Sequence, residues 1–274
     1  VKTLGEWLQD GPFEIALSSA FFGFFAHAGV VAALEESGFR PNKASGASAG
    51  ALVAAALASG LEAAEMRAIF AELQKGDFWD PGPGLGLLRG KKFLALMARH
   101  FAPTFEKTVI PLEVAALDLW AMRTRFLRQG SLPEAVYASC AVPLLFRPMR
   151  IDGRLYLDGG ILNKSAIRTT AGHERILSVY LETGGAAGGY ELRRSVSALA
   201  PGTRMLRLRG LPQVGPNSLA NGAAAAEAGY RLARQGLASA LCGQVAEAAS
   251  GCLNGANGSG KAQEAPGRVY TKSN

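Results

Sequence analysis

The sequence predicts an α/β protein, and three observations predict it. Apolar runs of strand length alternate with stretches whose apolar residues fall at helical spacing, the pattern of strand–helix–strand units. Hydrophobic residues make up 49% and charged residues 19% of the 274, which fills a core and excludes a disordered or nucleic-acid-solvating chain. The 34 glycines, about 12% against an average usage near 7%, sit at turns and loops without a G-X-Y period, which excludes a collagen-like architecture. The length suits one large domain, alone or with a small appendage.

The elements follow in chain order. Residues 13–17 are an apolar run behind Gly11-Pro12 and read as the first strand. Over 26–36 the positions Ala26, Val30, Val31, Ala33 and Leu34 share helical spacing, and Gly38 supplies the stop. Residues 42–45 form a very short strand leading into Gly46-Ala47-Ser48-Ala49-Gly50, and an Ala-rich helix runs on to Ser59. A helix fits 63–74; the segment 80–90, with two Pro and four Gly, reads as a long loop ahead of a basic helical stretch. Residues 109–117 read as a buried strand with 125–128 as its neighbour. Ser131 caps a helix through Ala138, with Pro133 and Glu134 in its first turn. Residues 148–151 and 154–157 flank Asp152-Gly153, a two-residue hairpin signal. A strand over 175–181 and helices over 192–199 and much of 220–249 complete a domain spanning 1–250. The stretch 251–274, rich in Gly, Asn, Ser and Lys, reads as a flexible tail.

The net charge of +7 is scattered in pairs such as Lys91–Lys92 and Arg193–Arg194, and in the alternating Arg204, Arg207 and Arg209. No run of five like charges occurs, so no nucleic-acid footprint is expected; a basic surface suits a soluble protein, and it also suits anionic lipid. Cys140, Cys242 and Cys252 lack metal-ligand spacing, which implies a reduced compartment, no disulfide framework and no metal or cofactor. The longest apolar stretch, 20–34, is broken by His27 and is shorter than the roughly 20 residues a membrane span needs. The expected location is the cytoplasm or a membrane periphery. The start at Val1 is also compatible with secretion behind a removed leader.

The residues that carry chemistry centre on Gly46-x-Ser48-x-Gly50, the pattern of a nucleophile elbow. An elbow needs a strand before it, a helix after it and small neighbours so the tight turn can form. Here Ala47 and Ala49 flank the serine. Only one strand–helix unit fits before Ser48, earlier than in an α/β-hydrolase, so another serine-hydrolase architecture is indicated. The nucleophile needs a base, and the candidates are His27, His100, His173 and a carboxylate. Asp158 stands out: it ends the returning strand of the hairpin, and Gly159-Gly160 behind it permits close approach. Asp152 sits in the turn, and Asp118 reads as structural. Gly255-x-x-x-x-Gly260-Lys261 imitates a phosphate-binding loop, but Ala262 replaces the magnesium-binding hydroxyl and no strand precedes it. Cys140, among small apolar residues and without a local base, reads as a buried hydrophobe.

Taken together, 17–30, Gly46–Gly50, Ser139-Cys-Ala-Val-Pro143 and Ile151-Asp-Gly…Asp158-Gly-Gly160 with Asn163 resemble the patatin-like phospholipases, in order over roughly 13–182. The resemblance implies a three-layer α/β/α fold around a mostly parallel sheet. It implies hydrolysis of lipid acyl esters by a Ser–Asp dyad without histidine, with Ser48 as nucleophile, Asp158 as base and no cofactor. The elbow and loop glycines would be Gly46, Gly50, Gly159 and Gly160. The partner is then a lipid or other acyl ester, with peripheral membrane contact.

One departure concerns catalysis. Where the family has a Gly-Gly-Gly-x-Arg/Lys-Gly oxyanion loop, this chain reads Ser19-Ala20-Phe21-Phe22-Gly23-Phe24, with Gly23 at the basic residue's place. The backbone donors would come from Ala20, Phe21, Phe22 and Gly23, and from Ala49 behind the nucleophile. The four phenylalanines Phe21, Phe22, Phe24 and Phe25 would line an acyl pocket, dip into a membrane or pack in the core. Ala166 stands where the family often has proline. Three readings follow: a dyad hydrolase; a lipid-binding or regulatory protein whose oxyanion loop has lost its geometry; and a triad of Ser48, Asp158 and His173. Acyl transfer lacks its histidine beside the nucleophile, since Ala47 stands there.

Overall fold

The computed structural model describes residues 1–168, 175–182, 186–197 (186–191 by backbone alone) and 199–249; His173 and the 251–274 stretch lie outside them. The strands are β1 (Glu14–Leu17), β2 (Lys43–Ala47), β3 (Leu112–Asp118), β4 (Arg123–Leu127), β5 (Met149–Ile151), β6 (Arg154–Asp158), β7 (Ile176–Leu181), β8 (Thr203–Arg209) and β9 (Val245–Ala249). The α-helices are α1 (Leu4–Gln9), α2 (Phe24–Glu36), α3 (Ala49–Ala58), α4 (Ala63–Glu72), α5 (Lys91–His100), α6 (Leu132–Cys140), α7 (Ala186–Ser197) and α8 (Gly222–Ala238).

Among the described residues the nine strands form one sheet in the order β5-β6-β3-β2-β1-β7-β8-β9, with β4 also paired to β3. The run β3-β2-β1-β7-β8-β9 is parallel; β4 pairs antiparallel with the outer edge of β3, and β6, with β5 antiparallel beside it, pairs antiparallel with β3 on β2's edge, beyond the end of β2. β1 is buried at every position, as a central strand covered on both faces must be. Ile15 and Leu17 join the main core with α2, α3 and α8, whereas Ala16 faces the other side against Ile167 and Ile176. The same second side holds Ala47, Ala115 and Ala166. A thick helical layer, the sheet and a thinner cover of small residues make the three-layer α/β/α architecture. Chain order reverses at β1, with β2 on one flank and β7 on the other. Such a switch point leaves a crevice beyond the carboxyl ends of the strands, where ligands of open α/β sheets bind.

The differences from expectation cluster at the two ends of the chain. The expected long helix over 220–249 stops at Ala238, and Val245–Ala249 is instead an edge strand with Ala246 and Ala248 buried and Glu247 exposed. Helix propensity of alanine yields there to the free edge of β8, which pairs with it. β8 itself stands where the alternating arginines read only as scattered charge: Leu206 and Leu208 fill its core side, and Met205 is buried on its other face. α1 was also not expected; it is closed by a capping box between Thr3 and Glu6.

Candidate active site

Register brings the site together. Ser48 follows Ala47, which lies opposite Ala115 of β3, while Asp158 lies opposite the next residue, Ala116, on the same edge of that strand; β4 holds the other edge. The serine and the carboxylate therefore meet on one edge of β3, where β2 ends and β6 takes its place. Ser48 Oγ donates to Asp158 Oδ2 at 2.6 Å. The Gly160 N–H holds the other carboxylate oxygen, Oδ1, at 2.7 Å.

The turn at Ser48 is strained as an elbow should be, with φ 51° and ψ −119° between β2 and α3. Two glycines let the backbone close around it. A Cβ at Gly50 would sit 2.1 Å from the Leu17 carbonyl oxygen, and one at Gly159 would sit 2.0 Å from that of Ala115. Gly46 packs against the first turn of α3 in the same way. A second serine, unassigned by the sequence reading, braces the elbow. Ser139 of α6 accepts the Ser48 N–H at 2.8 Å and donates to the Ala115 carbonyl at 2.6 Å, tying β3, α6 and Ser48 together.

Asp158 is 6% exposed. Burial pushes its carboxyl up to about 6, although the hydrogen bonds from Ser48 and Gly160 pull the other way. His27 is fully buried, and burial lowers it to about 4, so it is neutral; its Nε2 lies 2.8 Å from the Ser18 carbonyl and not on Ser48. His100 ends α5 and lines the cavity beside Ser48. Asp118 is structural, gripped by Arg125 and Arg154 and by the N–H groups of Trp120 and Ala121. Cys140 is buried in the wall of the same cavity, and burial together with the Asp158 carboxylate keeps its thiol protonated.

The loop 19–23 runs past this pair. The Gly23 N–H is taken by the Ala20 carbonyl at 2.9 Å and starts α2, so it is withdrawn from the set of open donors. Among the described residues the N–H groups of Ala20, Phe21, Phe22 and Ala49 carry no protein acceptor, and Ala49 stands at the N-terminus of α3, where the helix dipole favours negative charge. Phe22 adopts φ 53°, a left-handed conformation that a glycine would take without strain. The four phenylalanines divide their roles. Phe24 and Phe25 are buried, Phe21 is 58% exposed, and Phe21, Phe22 and Phe24 face an apolar cavity that opens beside Ser48 and is also lined by Leu52, Met66 and Phe146. Ala166 has φ 55°, which proline, fixed near −65°, cannot adopt; the departure there changes the loop's path and not only its stiffness.

The model of the patatin-like phospholipase family matches residues 15–170. Two Mycobacterium tuberculosis proteins of the NTE family are each 32% identical: Rv1063c over 184 residues, covering 64% of this chain and 50% of its own length, and Rv2565 over 144 residues, covering 50% and 24%. The chain thus spans half or less of these relatives. Among solved structures, VipD of Legionella pneumophila superposes with a TM-score of 0.60 at 15% identity, over 82% of this chain and 66% of that one, a likeness of fold. The family match runs from the start of β1 through the loop that follows Asp158, and so takes in both halves of the Ser48–Asp158 contact: this chain belongs to the patatin-like phospholipase family.

Proposed function

We infer that this chain hydrolyses acyl esters of lipids with Ser48 as nucleophile and Asp158 as its base. The observation that carries the reading is the 2.6 Å hydrogen bond between the two side chains, made at a strained elbow beside an apolar cavity. Family membership supports lipid hydrolysis in general. In this mechanism Ser48 Oγ attacks the ester carbonyl carbon while Asp158 accepts its proton. The oxyanion is held by the Ala49 N–H and by N–H groups of 20–22. Collapse expels the alcohol, which takes the proton from Asp158 and leaves the acyl group on Ser48. Water, deprotonated by Asp158, then attacks the acyl-enzyme; collapse expels Ser48 Oγ, which takes the proton back from Asp158, and the fatty acid leaves.

The test is fluorophosphonate labelling together with hydrolysis of short- and long-chain esters by wild type and Ser48→Ala. Labelling and turnover are expected in wild type, and both vanish in the variant. Turnover that survives Ser48→Ala overturns the reading. A second reading draws on the 19–23 loop, with Phe22 strained and Gly23 withdrawn: a lipid-binding or regulatory protein without turnover. It requires lipid binding with an unlabelled Ser48, so the same labelling separates the two.

A further inference from the structure

Away from the site, two loops place large apolar side chains in water. Residues 80–89 fold into a small hairpin, with Pro81 bridged to Leu88, and its return arm lies along 144–146, with Leu88 bridged to Phe146. The Leu87 N–H bonds the Leu144 carbonyl at 2.9 Å and the Leu88 N–H bonds that of Leu145 at 2.8 Å. This pairing sorts the side chains. Leu88, Leu145 and Phe146 turn inward and line the cavity that holds Ser48. Leu85, Leu87 and Leu144 turn outward, 81%, 51% and 88% exposed. Leu144 is held there at φ 68°, a strained conformation for leucine, and its side chain gains no packing in return. Contiguous exposed apolar groups of this kind mark contact surfaces.

The surrounding charge says what the contact is with. Segments 80–92 and 144–150 carry Arg89, Lys91, Lys92, Arg147 and Arg150 against the single carboxylate of Asp80. Asp80 is engaged by the N–H groups of Gly90 and Lys92. Arg89, Lys92 and Arg147 donate to the carbonyls of Pro81, Gly76 and Pro83, so these cations are positioned by backbone, and among the described residues none of them pairs with a carboxylate. Exposed leucines on segments that also carry five cations fit a surface that is apolar below and anionic above.

We propose that the paired segments 80–92 and 144–150 dock this chain on an anionic phospholipid bilayer. Leu85, Leu87 and Leu144 enter the boundary between headgroups and acyl chains, and the five cations rest against the phosphates. The opposite faces of the same two segments wall the cavity, so docking sets that cavity against the lipid. Binding needs no turnover, so the surface stands independently of the catalytic reading.

The experiment is co-sedimentation of full-length Ser48→Ala protein with phosphatidylcholine vesicles, with and without about one-third phosphatidylglycerol. Binding to the anionic vesicles is expected, weakening as salt rises from about 0.1 to about 0.5 M. Adding Leu85→Ser, Leu87→Ser and Leu144→Asn together should weaken it about tenfold or more, with the melting temperature unchanged. Lys91→Glu with Arg150→Glu should abolish the preference for phosphatidylglycerol. In a chain with Ser48 intact, the three leucine changes should leave hydrolysis of a water-soluble ester unaltered, which separates lost docking from a failed active site. Equal binding to neutral vesicles overturns the anionic assignment. Undiminished binding by the leucine variant overturns the surface, and so does a wild-type dimer in sedimentation velocity that the same three changes dissociate.

Discussion

At Asp158 the price of chemistry is legible in one side chain. Its pKa of about 6, raised from the ordinary 3.8 chiefly by burial, means that the folded state holds a proton the unfolded chain has already released. The stability supplied by the protonated carboxyl is complete below pH 3.8, and it is lost as the pH rises through about 6. At neutral pH the ionised group therefore costs roughly 3 kcal/mol. Asp158→Asn removes that charge, and the variant is expected to be up to about 3 kcal/mol more stable than wild type at pH 7–8, with the gain vanishing towards pH 4. Denaturant melts across that range measure it. Ester hydrolysis should fall about tenfold per pH unit below 6 in wild type, because only the carboxylate accepts the Ser48 proton. Phe22 offers a second test. At φ 53° glycine is relaxed and alanine is not. Phe22→Gly should therefore be more stable than Phe22→Ala by about 1 kcal/mol, the reverse of the usual order; equal melts for the two variants would remove the strain from the account of this loop.

Among the elements, α2 and α8 make the closest helix crossing. A Cβ at Gly29 would stand 1.9 Å from the Ala226 carbonyl oxygen, and one at Gly229 would stand 2.2 Å from that of Ala26. Gly29→Ala should separate the helices and destabilise by about 3 kcal/mol, seen as a lower denaturation midpoint with an unchanged slope. Ser139 couples α6 to the elbow. Ser139→Ala leaves the Ser48 N–H and the Ala115 carbonyl without their partner, which should cost about 1–3 kcal/mol and, on the proposed mechanism, lower kcat more than it raises KM, since Ser48 loses its brace and the cavity does not change. These cases show which parts of the molecule local sequence encodes. Gly38, the Gly46–Gly50 run and Asp152-Gly153 announce their turns because a glycine or a hairpin dipeptide is required at that spot. The Ser48–Asp158 pairing was also legible, through the two motifs that end β2 and β6. Ser139 was not, for its role depends on a contact 91 residues away and a serine in a run of small residues carries no local sign of it. β9 was hidden in the same way: an alanine-rich segment reads as helix until β8 offers it an edge.

At the scale of the whole molecule, the asymmetry of the sheet decides where a ligand can go. On one face Ala16, Ala47 and Ala115 pack against Ile167, Ile176 and Ala166. The other carries the thick helical layer, and the apolar cavity lies within that layer with Ser48 at its edge. If Ser48 is acylated as proposed, the acyl group meets an apolar route among the described residues between α3, α4 and the Phe-rich loop, past Leu52, Met66 and Phe70. Each methylene that enters should contribute about 0.8 kcal/mol. Alkyl fluorophosphonates of rising length test this directly, because the covalent bond to Ser48 makes the association term common to the series. Going from a butyl to an octyl chain adds four methylenes, about 3 kcal/mol, and should raise the melting temperature of the adduct by roughly 6 °C at about 2 °C per kcal/mol. Longer chains should add less once the cavity is filled, and Met66→Trp should bring the plateau to shorter chains. Adducts that melt together whatever their length would mean that the chain stays in solvent and that the cavity does not receive it.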